Sequence, residues 1–147
     1  MIKAFAIAAL AGSSVAAPAA TNTSYQWSIT KWSFCRGQSA YDYSFTVKGG
    51  VNGDTPAFKA TCSGTQQGGY KACDVTSGDA VYVSANVNIV VDPNNPNDSI
   101  PRVFVKTNYV DAESCRYTSI GHHDATGNCG ATTGRKFSIE PKDTAVC

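Results

Sequence analysis

The residues best suited to chemistry crowd into one late stretch of the chain. Glu113, Arg116, His122, His123, Asp124, Arg135 and Glu140 lie close together, and two cysteines bracket the histidines in Cys115-RYTSIGHHDATGN-Cys129. By residue type the stretch offers zinc coordination, acid–base catalysis around a phosphate, or a pair of groups that titrate between about pH 5 and 8. Zinc is disfavoured by spacing. Structural zinc sites take ligands as close pairs such as Cys-x2-Cys, whereas adjacent histidines on an extended chain point to opposite sides. Oxidised cysteines are not thiolate ligands, which leaves at most a weak surface site of His122 or His123 with Asp124.

The acid–base reading resembles the chemistry of small secreted ribonucleases, which combine histidine, glutamate and arginine. Both histidines are expected in a Gly-flanked loop between cysteines, and catalytic pairs are better held on rigid strands facing one cleft. An exposed polar loop is therefore the reading adopted. The chain has no G-x-S-x-G elbow, and Gly134-Arg-Lys-Phe-Ser lacks the glycine spacing of a phosphate loop. Asp54, Asp74 and Asp79 fall in Gly-rich turns and are expected to bond their own backbone. No catalytic residue, metal or cofactor is expected. Among the aromatics, Trp27 and Phe45 alternate cleanly with polar neighbours and read as core. Trp32 and Tyr82 are out of step with the apolar face of their strands. With His122 and His123 they form the candidate partner-binding surface, since Trp and Tyr combine large apolar area with a polar tip.

The elements that must hold these residues are strands. Tyr25, Trp27 and Ile29 alternate with polar residues, as do Tyr41 to Val47, Val81 to Val91, Val103 to Tyr109, and Phe137 with Ile139. Period two puts one set on a buried face and the other in water. Shorter strands are expected around Phe58 to Cys62 and Tyr70 to Cys73. Turn signals such as Asn52-Gly53-Asp54, Gly68-Gly69 and Ser77-Gly78-Asp79 separate them. The segment Asp92 to Pro101 reads as a polar loop, its three prolines excluding helix and central strand. The expected fold class is all-β, a compact antiparallel β-barrel or sandwich stapled by disulfides.

The first residues, MIKAFAIAALAGSSVAAP, have the layout of a secretory signal peptide. Residues 1–16 are the expected signal, with cleavage open up to residue 20, and 17–147 the single secreted domain. Without Lys3 the chain carries eleven basic and eleven acidic residues, none of them in a block. Nothing in this balance suggests a nucleic-acid face, and no segment after the first is apolar enough to span a membrane. Six cysteines, Cys35, Cys62, Cys73, Cys115, Cys129 and Cys147, form an even set on an export route, so three disulfides are expected. Asn22-Thr-Ser and Asn97-Asp-Ser are glycosylation sequons.

Four features carry a resemblance to a family. They are the aromatic strand Tyr25-Gln-Trp27-Ser-Ile29, the strand ending Phe45-Thr-Val47, the pair Phe58-Lys-Ala-Thr-Cys62 and Tyr70-Lys-Ala-Cys73, and the late Cys115 to Cys129 loop. In order and spacing they resemble the Alternaria allergen-one-like family of small secreted fungal proteins. The resemblance implies a compact β-barrel with disulfides Cys62–Cys73 and Cys115–Cys129, leaving Cys35 and Cys147 for each other. It lacks the N-terminal cysteine that links two chains in some members, so a monomer is expected. The implied function is that of a non-enzymatic secreted effector or elicitor. It would act outside the fungal cell on a host, plant, extracellular protein or cell-surface component. The alternatives are a secreted ribonuclease-like hydrolase using Glu, His and Arg, and a cell-wall carbohydrate-binding module using Trp32 or Tyr82.

Overall fold

A computed structural model describes residues 24–127, 129 and 135–147. The expected signal segment 1–16, its extension to residue 20 and the Asn22 sequon lie outside the described residues. Among those described, the chain forms ten strands and no helix. They are β1 (Trp27–Arg36), β2 (Tyr41–Gly49), β3 (Phe58–Thr65), β4 (Lys71–Ala72), β5 (Asp74–Ser77), β6 (Tyr82–Asp92), β7 (Asn95–Val110), β8 (Arg116–Asp124), β9 (Phe137–Ile139) and β10 (Lys142–Val146). No helix among the described residues is long and apolar enough to cross a membrane.

Two five-stranded antiparallel sheets face each other, ordered β5-β3-β2-β1-β9 and β10-β8-β7-β6-β4. They are not closed into a barrel, so the all-β expectation resolves as a sandwich. The chain changes sheet at both lateral edges, through β3 to β6 on one side and β8 to β10 on the other. The core fills the gap. Trp27, Ile29, Phe45, Val47 and Phe58 of the first sheet pack against Val83, Ala85, Val87, Val103 and Val105 of the second. Strand β7 shows the cause most plainly, with Val103, Val105 and Thr107 buried and Arg102, Phe104 and Lys106 turned outward.

Strand β1 breaks this rule. Its pairing with β2 slips between Thr30 and Ser33, and Lys31 sits at φ 55°, in the left-handed region that non-glycine residues seldom enter. The extra residue shifts the phase of everything after it. Trp32 and Phe34, which strict alternation would turn outward, therefore face the core. Trp32 is 1% exposed, and its indole Nε1 donates to the Thr126 carbonyl at 2.8 Å. Trp32 is thus a core residue and not part of a partner-binding surface.

The segment expected as a loop also differs. Asp92 pairs with Asn95 across a Pro93-Asn94 turn, and Asn94 N–H donates to Asp92 Oδ1 at 2.8 Å. Pro96 and Pro101 lie within β7, but pairing of β7 with β8 begins only at Arg102. The prolines thus occupy the two-stranded part, where a missing N–H leaves no second ladder broken.

Three disulfides join the sandwich, as befits an oxidising compartment. Cys62–Cys73 stands as expected. The other two do not: Cys35 joins Cys129, and Cys115 joins Cys147. The physical reason is the intervening strand. Cys115 immediately precedes the nine-residue β8, which alone spans roughly 26 Å at about 3.3 Å per residue, and the five residues from its end to Cys129 reach back at most about 18 Å. A disulfide needs Cα atoms within about 7 Å. Arg116 pairs with Val146 in the β8–β10 ladder, which brings the C-terminal Cys147 to within 4.1 Å of Cys115 between Cα atoms.

Candidate functional site

His122 and His123 lie on strand β8, not in a disulfide-closed loop. Being adjacent on an extended chain, they point to opposite faces. His123 faces inward and stacks on Phe137, with ring centroids 4.6 Å apart and planes at 15°. Burial lowers its pKa below the ordinary histidine value, against the opposing pull of Asp124. His122 faces outward beside Phe104, its partner across the β7–β8 ladder, with ring centroids 5.7 Å apart.

The register fixes what else shares the outer face with His122. One row across the sheet reads Lys142, Ile120, Lys106 and Ser84; the next reads Thr144, Thr118, Asn108 and Tyr82; a third reads His122, Phe104 and Asn86. Tyr82 is 54% exposed, as expected for a residue out of step with the core. Tyr70 folds over from the β3–β4 connection and places its ring 4.6 Å from Lys106 Nζ, a cation–π contact. Ile120, Val110 and Val146 are exposed apolar side chains on the same face. Arg102 holds Asp124 through two hydrogen bonds, at 2.6 and 3.0 Å, which lowers the Asp124 pKa and cancels both charges. Lys106, Lys142 and Arg116 have no such carboxylate partner among the described residues.

A cavity of about 350 Å³ lies beside this face, lined by Ile120, Gly121, His122, Glu140, Lys142 and Thr144. Gly121 makes it possible. A Cβ at that position would collide with Ile139 Cγ2 and lie 3.0 Å from the Glu140 carbonyl oxygen. Without one, the β9–β10 crossing runs close against β8 and delivers Glu140 next to His122. The other residues considered for acid–base work are scattered. Glu113 and Arg116 belong to the opposite end of β8, where Asp111 accepts from the Glu113 and Cys115 N–H groups at 3.0 and 2.8 Å. Arg135 shares a separate hollow of about 250 Å³ with His123, Asp124 and Trp32.

Asp54 does not cap its own turn. The Tyr117 hydroxyl reaches both Asp54 and Asp111 at 3.1 Å, and these acceptors, Asp54 first, push the phenol up to about 12. Asp74 is part of strand β5. Asn97 is exposed on the β6–β7 ribbon, so its sequon is accessible. Of the four residues expected on a partner surface, Tyr82 and His122 share one face, His123 lies on the other side of β8, and Trp32 is in the core. Sequence reasoning missed Tyr70, Lys106 and Ile120; Glu140 was among its acid–base candidates, but its place beside His122 was not foreseen. Ile120 had a usable signal, because it shares the phase of His122 once residues 116–124 are read as a strand.

Comparison with protein-family models, with curated proteins and with solved structures finds no match to this chain. The late cysteine loop, one of the four features behind the family resemblance, is not closed by its own cysteines.

Proposed function

We propose that this protein is an exported recognition module, an effector or elicitor that binds an extracellular partner through the outer face of its second sheet. The observation that carries this reading is the concentration there of Tyr70, Tyr82, Phe104, Ile120 and His122 around the uncompensated cations Lys106 and Lys142. Aromatic and apolar anchors interspersed with cations suit a recognition surface, and the sign of the charge selects an acidic partner. Three disulfides suit a protein that works outside the cell. The features resembling the fungal family point to a plant host. The test is infiltration of wild type, Ile120→Glu and Tyr82→Ala/Lys106→Glu proteins into host leaves, with pull-down of acidic apoplastic proteins. Loss of both response and capture in the variants supports the reading. Equal behaviour of wild type and variants sinks it.

One observation favours a second reading, a small hydrolase. His122, Glu140 and Lys142 line a single cavity, and a histidine, a carboxylate and a cation are what acid–base cleavage at a phosphate needs. RNA degradation by wild type that is lost in His122→Ala and in Glu140→Gln would favour it over recognition. An inactive wild type ends it.

A further inference from the structure

At the end of the sandwich where Cys35 joins Cys129, a cavity of about 630 Å³ opens between the sheets. This lies within the roughly 300–1,000 Å³ range of small-molecule sites. Its walls are of two kinds. Phe34, Tyr41, Ile89 and Pro101 supply apolar surface, and Arg36 and Gln66 supply polar groups. Phe34 and Tyr41 are stacked, with centroids 4.8 Å apart and planes at 4°, so the aromatic core continues to the opening, where Tyr41 is 36% exposed.

Arg36 is the deciding group. It also borders an adjoining hollow of about 340 Å³ and makes no ion pair with any described residue. Asp42, on the same β1–β2 hairpin, is not its partner. A guanidinium beside an apolar wall is a receptor for a planar carboxylate, which it meets with two parallel N–H donors. The Gln66 amide oxygen is buried without a donor, so no hydrogen bond pins that orientation, and exchanging the positions of its oxygen and NH2 would offer a bound carboxylate an N–H donor.

We propose that this cleft binds a small amphipathic carboxylate, its apolar body against Phe34, Tyr41, Ile89 and Pro101 and its carboxylate on Arg36. The cleft lies at the Cys35–Cys129 end, away from the row of Tyr82, and does not depend on the recognition reading.

The test is a titration of the disulfide-intact secreted protein, labelled with 15N, followed by amide and side-chain NMR. The probes are 1-naphthoate, octanoate and the neutral 1-naphthalenemethanol. Saturable shifts at the Arg36 Nε–H, the Gln66 amide and Tyr41 are expected with the two acids. Stronger binding of naphthoate assigns an aromatic acid; stronger binding of octanoate assigns an aliphatic one. Arg36→Gln weakens the acids about tenfold or more, as loss of a charged hydrogen bond requires, and leaves the alcohol unchanged. Ile89→Trp, which fills the cavity, abolishes all binding while the rest of the spectrum is retained. The proposal is overturned by no saturable shift up to about 5 mM, a range that captures even weak sites. It is equally overturned by shifts confined to other surfaces, or by Arg36→Gln binding the acids as well as wild type.

Discussion

Removing the Cys35–Cys129 bridge tests the architecture most directly. This disulfide spans 94 residues of sequence and ties the end of β1 in the first sheet to the segment after β8 in the second. In the chain-entropy account a cross-link stabilises by restricting the unfolded chain, increasingly so with loop length. A span of 94 residues gives about 4.7 kcal/mol, against about 3.7 for the 32-residue span of Cys115–Cys147 and about 2.8 for the 11-residue span of Cys62–Cys73. Paired alanine substitutions at each bridge, measured by urea unfolding of the otherwise oxidised protein, should rank in that order. Thiol trapping supplies the companion result. Cys147→Ala alone should leave Cys115 open to alkylation. Label at Cys35 instead, or a Cys35/Cys129 variant that loses less stability than the Cys115/Cys147 variant, would refute the reasoning from strand length and register.

Three further outcomes are expected. Trp32→Ala should cost about 3–5 kcal/mol in urea unfolding, because it empties a fully buried site; a loss below about 1 kcal/mol would return Trp32 to the surface. Gly121→Ala should cost about 1–3 kcal/mol and lower the thermal midpoint, because a Cβ there meets Ile139 and the Glu140 backbone; an unchanged midpoint would mean that the β9–β10 crossing stands off from β8. The His123 pKa is lower in the folded state, so as pH falls below about 6.5 the unfolded chain takes up the proton first and stability drops. The urea midpoint should fall as pH drops below about 6.5, and less steeply in His123→Gln, whereas equal slopes would contradict the buried stacking on Phe137.

The strands were legible because period two is a local property. Val103, Val105 and Thr107 face the core, and Trp27 and Phe45 pack there, as their alternation demands. The same locality set the limits. A single positive φ at Lys31 reversed the phase of Trp32 and Phe34, and nothing in a lysine codon's neighbours announces that conformation. The pairing Cys115–Cys129 was what the family resemblance implied, but pairing depends on which strand ends meet in space. That is decided by the β8–β10 register, which links residues far apart in sequence.

The candidate sites divide in the same way. Opposite orientation of His122 and His123 follows from any extended backbone, and the exposure of Tyr82 follows from its phase. Glu140 beside His122 required the close crossing over Gly121. Arg36, Tyr41, Ile89 and Pro101 come from two sheets and meet only because the layers stack. By itself the sequence determined the class of secondary structure, the inward face of most strands and the even set of cysteines, since each is written in residue type and spacing. Only the tertiary structure decided the cysteine partners, the burial of Trp32 and the walls of the cleft, because each depends on segments brought together by packing and register across the whole chain.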